Sequence, residues 1–211
     1  MRIMSLSLLL LTLMVSIASA ADPIKIGLLL PMTGSTAPFG QMGLDALQTA
    51  RKIQPEALGR PVEFKLADSK SDKVDSANAI SRLIEKEKVV AVIGEMMSGP
   101  TIAAGDYAER AKIPMVSPSA TNPIVTQGKK FVSRVCFIDT EQGQVGAKLA
   151  KEELKANTAA IIYDMSLDHS VGIKSFFQKE FTRLGGKVIS ETMFKTGDRD
   201  FTAQLSVLQE K

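Results

Sequence analysis

The chain has 211 residues, of which 45% are hydrophobic and 23% are charged, and its formal net charge is +3. This is the composition of an ordinary globular protein, which excludes a disordered chain and a chain embedded in a membrane along most of its length. The basic residues are spread out, with no basic stripe interleaved with aromatic residues, so nucleic acid is not an expected partner.

The first twenty residues have the pattern of a secretory signal peptide. Arg2 precedes a short apolar run at residues 8–17, which ends in small residues. A positive start, a short apolar core and an A-x-A ending predict export with cleavage after Ala20. A membrane anchor is the alternative, but the run is short for a span and contains Ser and Thr. We therefore expect an exported mature chain that begins near Ala21.

Strands and helices alternate after this segment. Short apolar runs indicate buried strands, and apolar residues at every third or fourth position indicate helices that face a core. The first series of predicted elements comprises strands 24–30, 62–66, 89–93, 114–116 and 131–138 and helices 40–53, 72–88 and 98–112. The second series comprises helices 141–155, 170–184 and 200–211 and strands 159–163 and 187–190.

The two series predict two lobes. Repetition of strand, helix and strand favours parallel sheets covered by helices. The predicted fold class is therefore α/β with two Rossmann-like lobes: a signal peptide at 1–20, an N-terminal lobe at 21–138 and a partial second lobe at 139–211. The second lobe is expected to be incomplete, because the apolar face of helix 200–211 should lead into a further strand.

Three loops are candidates for binding a ligand. Ligands bind beyond the carboxyl ends of strands in open parallel sheets, which selects the loops 31–40, 94–100 and 117–123. Ser98 begins a helix whose free backbone N–H groups and dipole can bind a carboxylate. Ser98 could also serve only as the cap of that helix.

The other two loops offer hydroxyl groups and an aromatic ring. Ser119 and Thr121, on either side of Ala120, can donate to a carboxylate or accept from an ammonium group, or can simply form a polar turn. Phe39 lies on a loop rich in glycine and proline, where it can wall an apolar pocket or cover the edge of the core.

His169 is the single histidine, and it can either line the cleft or lie on the surface at a helix start. No second histidine or paired cysteine accompanies it, so neither a metal nor another cofactor is expected. The chain also lacks the common catalytic motifs, which disfavours an enzyme. Cys136 lies in an apolar run and is expected to be a buried, unreactive thiol.

The order of several segments resembles the leucine/isoleucine/valine-binding proteins, which are the periplasmic part of branched-chain amino acid ABC transporters. The strongest match is Ile113-Pro-Met-Val-Ser-Pro-Ser-Ala-Thr-Asn-Pro123. The other matching segments are 24–34, 66–72, 90–99, 142–143, 161–164, Gly172 and 196–201. The resemblance implies a type I periplasmic binding fold, a two-lobed clamshell that closes on a small amino acid-like solute and docks on a membrane permease.

The resemblance also implies roles for individual residues. Ser98, Ser119 and Thr121, with Ala120 between the last two, would hold the carboxylate and ammonium groups of an amino acid. Phe39 and Met97 would line the pocket for its side chain, and Asp139 would lie near the crossing between the lobes. His169 stands where the family usually has a tyrosine that faces the ligand.

The family's acidic partner for the solute ammonium group falls outside this sequence, so the resemblance does not fix the solute. The full-length protein is expected to be a periplasmic monomer. An exported sensory module that feeds a receptor remains the alternative function.

Overall fold

A computed structural model describes residues 22–209, so the predicted signal peptide lies outside the described residues. The first sheet has the strand order β2-β3-β1-β4-β5-β6, and every neighbouring pair is parallel except β2 with β3. Its strands are β1 (Ile24–Leu30), β2 (Glu56–Ala57), β3 (Arg60–Asp68), β4 (Ala91–Gly94), β5 (Met115–Ser117) and β6 (Val132–Arg134).

Three helices accompany this sheet: α1 (Ala37–Ile53), α2 (Lys73–Glu85) and α3 (Ser98–Ala111). The Asp72 side chain accepts hydrogen bonds from the backbone N–H groups of Val74 and Asp75, which fixes the start of α2. The core of this first lobe lies between the sheet and helices α2 and α3. Its buried members include Leu29, Ala67, Ile80, Leu83, Val92, Ala104, Ala108, Met115, Ala120 and Val132.

The second lobe contains a parallel pair of strands, β7 (Thr158–Asp164) and β8 (Lys187–Phe194). Its helices are α4 (Asp139–Lys148), which continues in a π-helical segment at Leu149–Glu153, then α5 (Asp168–Arg183) and α6 (Thr202–Gln209). Helices α4 and α5 pack closely, because a Cβ at Gly143 would lie only 2.6 Å from Cβ of Phe176. The predicted fold class, α/β with parallel sheets in two lobes, is confirmed.

Several element bounds differ from the predicted ones. The strand predicted at 131–138 is only three residues long, because β6 pairs with the equally short β5. Residues 135–138 then cross to α4, which begins at Asp139 rather than at residue 141. Strand β8 is longer than predicted, since its pairing with β7 continues to Phe194. Among the described residues, no helix combines the length and apolar character needed to cross a membrane.

Candidate functional site

A cavity of about 350 Å³ lies between the two lobes, beyond the carboxyl ends of β4 and β5. Its walls come from the loops after these strands, from the start of α1, from the crossing segment and from α5. The lining residues are Phe39, Met96, Met97, Ser98, Ser119, Thr121, Phe137, Gln142 and His169. Six of the eight residues selected from the sequence therefore lie together, while Ala120 and Asp139 lie outside the lining.

Ser98 occupies the first turn of α3, but its side chain does not cap the helix. The N-cap is Met97, without a side-chain bond, and Ser98 Oγ instead accepts a hydrogen bond of 3.1 Å from the backbone N–H of Asn122. The alternative that Ser98 serves only as the cap of the helix is therefore wrong. Because the hydroxyl acts as an acceptor here, its hydrogen is available to a solute.

The start of α3, where Ser98 lines the cavity, carries backbone donors that the helix itself does not use. The backbone N–H groups of Ser98 and Gly99 belong to the first helical turn, which has no acceptors within the helix. The helix dipole places partial positive charge at the same end. Among the residues that line the cavity there is no acidic side chain and no Lys or Arg, so these neutral donors are the groups that can meet a carboxylate.

Ser119 and Ala120 lie on the loop that follows β5. The Ser119 hydroxyl donates to the carbonyl of Met96 at 2.7 Å, which leaves only its lone pairs for a solute. The side chain of Ala120 is only 1% exposed and packs in the core of the first lobe. Ala120 therefore does not reach the cavity, and it contributes by fixing the loop through its backbone.

Arg134 holds this loop in place, although sequence reasoning did not select it. Its guanidinium donates to the carbonyls of Ala120, Asn122 and Pro123 and to the hydroxyl of Thr126, at distances of 2.7–3.0 Å. Burial lowers the pKa of Arg134 from its usual value, yet a guanidinium stays charged at neutral pH. A single arginine inside a predicted apolar strand beside a polar loop was the available signal.

Glu95 supports the neighbouring loop and was also missed. Its buried carboxyl group accepts from the backbone N–H of Met97 at 2.6 Å and from the hydroxyl of Ser69 at 2.8 Å. Burial raises the pKa of Glu95 to about 7, because water no longer stabilises the charged form. Its backbone carbonyl accepts from the hydroxyls of Thr101 and Ser117, so Glu95 links three loops beneath the cavity.

His169 connects the lobes at the cavity wall. Its Nδ1 lies 2.8 Å from Oδ1 of Asp139 and 2.8 Å from Oγ1 of Thr121. Asp139 is completely buried behind the ring, and its Oδ2 has no hydrogen-bond partner among the described residues. Asp139 therefore acts on the cavity through His169 rather than by lining it.

Two further polar contacts join the lobes beside the cavity. Lys73 on α2 forms an ion pair of 2.7 Å with Asp168 at the start of α5. The side-chain amide of Asn122 donates to the carbonyl of Asp168 at 3.0 Å. The absence of a side chain at Gly99 allows the Asp168 carboxylate to lie against the start of α3, because a Cβ at Gly99 would lie only 2.4 Å from Oδ2 of Asp168.

Apolar groups complete the walls. Phe39 and Phe137 are more than half exposed, and Met96 and Met97 line the same cavity. Within residues 22–209, no group of His, Cys, Asp and Glu side chains could hold a metal ion.

The prediction of a buried Cys136 is wrong, since its thiol is partly exposed. The burial that remains raises the pKa of this thiol, which favours the neutral form.

Two parallel-sheet lobes that meet across a cleft, with helix N-termini and hydroxyl groups at its wall, define a binding protein of the two-lobed class. Residues 23–211 match the family described as periplasmic binding protein, and the chain belongs to this family. This confirms the resemblance found in the sequence.

One curated relative is the leucine-, isoleucine-, valine-, threonine- and alanine-binding protein of Pseudomonas aeruginosa. It is 32% identical over 198 residues, which cover 92% of this chain and 52% of the relative. The chain spans about half the length of the curated relatives it matches.

Two solved structures are similar in fold. The leucine-binding protein LivK of Thermotoga maritima has a TM-score of 0.85 and 48% identity, over 89% of this chain and 53% of that one. The substrate-binding protein LivJ of Streptococcus pneumoniae, in complex with isoleucine, has a TM-score of 0.81 and 30% identity, over 90% of this chain and 55% of that one.

Proposed function

We propose that this protein is an exported solute-binding protein that captures a small amino acid-like carboxylate and delivers it to the permease of an ABC transporter. The observation that carries this proposal is the group of unused donors at one wall of the cleft. Ser98 and Thr121 line the same cavity, and Ser98 belongs to the first turn of α3, whose backbone N–H groups have no acceptor within the helix. The names of the relatives indicate branched-chain amino acids or related ones, such as threonine and alanine, as the solute class.

The cleft provides separate surfaces for the two ends of such a solute. The carboxylate would accept hydrogen bonds from Ser98 and Thr121, each worth about 1.5–3 kcal/mol because one partner is charged. The Ser119 oxygen, whose hydrogen is already donated to Met96, would accept from the solute ammonium group. The apolar part of the solute would pack on Phe39 and Met97, which together with Phe137 and Met96 form the apolar wall.

Further features belong to the same proposal. The mature chain would begin near Ala21 in the periplasm, and the lobes would divide at 138/139 and close on the solute. The full-length protein would be a monomer that docks on its permease. Adjacent genes for a permease and an ATPase would support transport, whereas an adjacent receptor gene would support the sensory alternative.

Calorimetry on the full chain with a panel of amino acids tests the binding site. Ser98→Ala combined with Thr121→Ala should abolish solute binding without unfolding the protein. The control is Ser175→Ala combined with Thr182→Ala, which removes two exposed hydroxyls from α5 away from the cavity. Unchanged affinity in the Ser98 and Thr121 variant would remove both residues from the site.

A further inference from the structure

The pair of His169 and Asp139 stands out among the polar groups of the cleft because one partner is buried and the other reaches the cavity. Asp139 is 0% exposed, whereas the His169 side chain is 39% exposed and lines the space between the lobes. The hydrogen bonds that His169 makes within the described residues use only Nδ1. The other ring nitrogen, Nε2, makes no hydrogen bond within the described residues, so it remains available to a solute.

Asp139 determines which ring nitrogen carries the hydrogen. A carboxylate only accepts hydrogen bonds, so the 2.8 Å contact with Oδ1 requires a hydrogen on Nδ1 of His169. Nδ1 then cannot accept from Thr121, whose hydroxyl hydrogen stays free for the solute. Asp139 therefore prepares two groups at once, the Thr121 donor and the Nε2 acceptor of His169.

The Nε2 nitrogen of His169 affects which solutes bind well. A solute that covers Nε2 with an aliphatic group removes this nitrogen from water and offers it no partner, which weakens binding. A hydroxyl or carboxamide group can donate to a bare Nε2 and can accept from a protonated one, so it matches the ring in either state. Gln142 adds a second polar side chain to the same cavity.

We propose that His169, positioned by Asp139, makes the cleft selective for small carboxylates whose side group carries a hydroxyl or a carboxamide, over aliphatic side groups of the same shape. This inference rests on the proposed function, because it requires a small carboxylate in the cleft. His169 is the specificity-determining residue and Asp139 is a positioning residue that acts through it.

Matched pairs of amino acids isolate the effect, because the members of each pair have nearly the same shape. Calorimetry on the full chain compares L-threonine with L-valine and L-asparagine with L-leucine. The unaltered protein should prefer the polar member of each pair by about tenfold, the effect of one hydrogen bond gained and one buried nitrogen satisfied.

Three variants separate the roles of the two residues. His169→Phe keeps a ring but removes both nitrogens, and the polar preference should disappear. His169→Gln keeps a polar group and should retain part of the preference. Asp139→Asn can both donate and accept, so it no longer fixes the tautomer of His169. Asp139→Asn should reduce the preference for the polar amino acid about threefold. Its affinity for L-valine should change little. Val171→Ala, on an exposed position of α5, is the control and should leave the preference unchanged.

Each outcome decides one of the two proposals. If no amino acid binds to the unaltered chain, the proposed function fails. If amino acids bind through Ser98 and Thr121 but the aliphatic members bind as tightly as the polar ones, this inference fails and the proposed function stands. An unchanged preference in both His169 variants, with unfolding midpoints that show folded proteins, would also overturn it.

Discussion

Nζ of Lys73 lies 2.7 Å from Oδ2 of Asp168, and this ion pair joins the start of α2 in the first lobe to the start of α5 in the second. The two side chains are 56% and 35% exposed, so water and salt screen their attraction. Such a pair contributes at most about 1 kcal/mol. Because the pair spans the cleft, this contribution favours the arrangement in which the lobes touch.

Lys73→Met should therefore weaken solute binding and leave folding almost unchanged. We expect a loss of about two- to fivefold in affinity at low salt, which disappears in about 0.5 M NaCl because the ion pair is then screened in the unaltered protein as well. Calorimetry at the two salt concentrations measures this difference. The control is Lys70→Met, since Lys70 pairs with Asp75 inside the first lobe. Equal effects of the two substitutions would refute a role for Lys73 between the lobes.

Gly99→Ala should act on the same ion pair by a steric route. The added Cβ would lie 2.4 Å from Oδ2 of Asp168 and 2.5 Å from Cε of Lys73, so the ends of both side chains must move. We expect an affinity loss at least as large as that of Lys73→Met, and the two losses should not add in the double variant. Gly105→Ala on the same helix is the control. Its Cβ would lie 3.4 Å from Val132, so the substitution should be neutral or stabilise the helix by up to about 1 kcal/mol.

Glu95→Gln should change how stability depends on pH. Burial raises the pKa of Glu95 from its usual 4.5 to about 7, so between these values the folded protein holds a proton that the unfolded chain releases. The contribution of Glu95 to stability is full below about pH 4.5 and is lost as the pH rises through 7, by up to about 3 kcal/mol. Glutamine resembles the protonated carboxyl group and removes this loss.

Denaturant unfolding between pH 5 and pH 8 measures this effect. The variant should gain stability relative to the unaltered protein as the pH rises. Glu109→Gln is the control, because the backbone N–H groups of Lys130 and Phe131 hold the pKa of Glu109 below its usual value of 4.5. The contribution of Glu109 to stability is full above pH 4.5 and is lost only as the pH falls below it, so the difference between this variant and the unaltered protein should stay constant between about pH 5 and pH 8. A pH-independent difference between Glu95→Gln and the unaltered protein would contradict the prediction.

Arg134→Lys should loosen the loop that carries Ser119 and Thr121. Lysine cannot reproduce the fork of donors that meets three carbonyls and the Thr126 hydroxyl. We expect a loss of about 2 kcal/mol in the free energy of unfolding and at least a fivefold loss in solute affinity. Arg82→Lys, on an exposed position of α2, should change stability by less than about 0.5 kcal/mol. Equal stability of the two variants would show that Arg134 does not fix the loop.

The positions of the candidate loops followed from the sequence because buried parallel strands leave a strong local pattern. The apolar run of β1 and the amphipathic spacing of α2 located the strand ends, and the loops with Ser98 and Thr121 follow such ends. The length of β6 could not be read in this way. It depends on how many residues of β5 are available for pairing, which is a property of another part of the chain.

The roles of single side chains were harder to predict than the loops that carry them. The Ser98 hydroxyl meets the backbone of Asn122, 24 residues away, and so does not cap its own helix. Ala120 lies between two cavity residues but packs in the core, and its backbone is held in place because its carbonyl accepts from Arg134 and its N–H donates to the Ser117 hydroxyl. Local sequence does not specify which of two possible partners a hydroxyl or carbonyl will find.

The sequence by itself determined the alternation of strands and helices, the family and the loops at the edge of the sheet, because these depend on periodicity and motif order along the chain. Only the tertiary structure decided that Asp139 lies buried behind His169, that Glu95 and Arg134 hold the loops, and that Lys73 meets Asp168. These relations join residues that are distant along the chain. Their distances, burial and charge balance therefore arise only when the two lobes have folded and face each other.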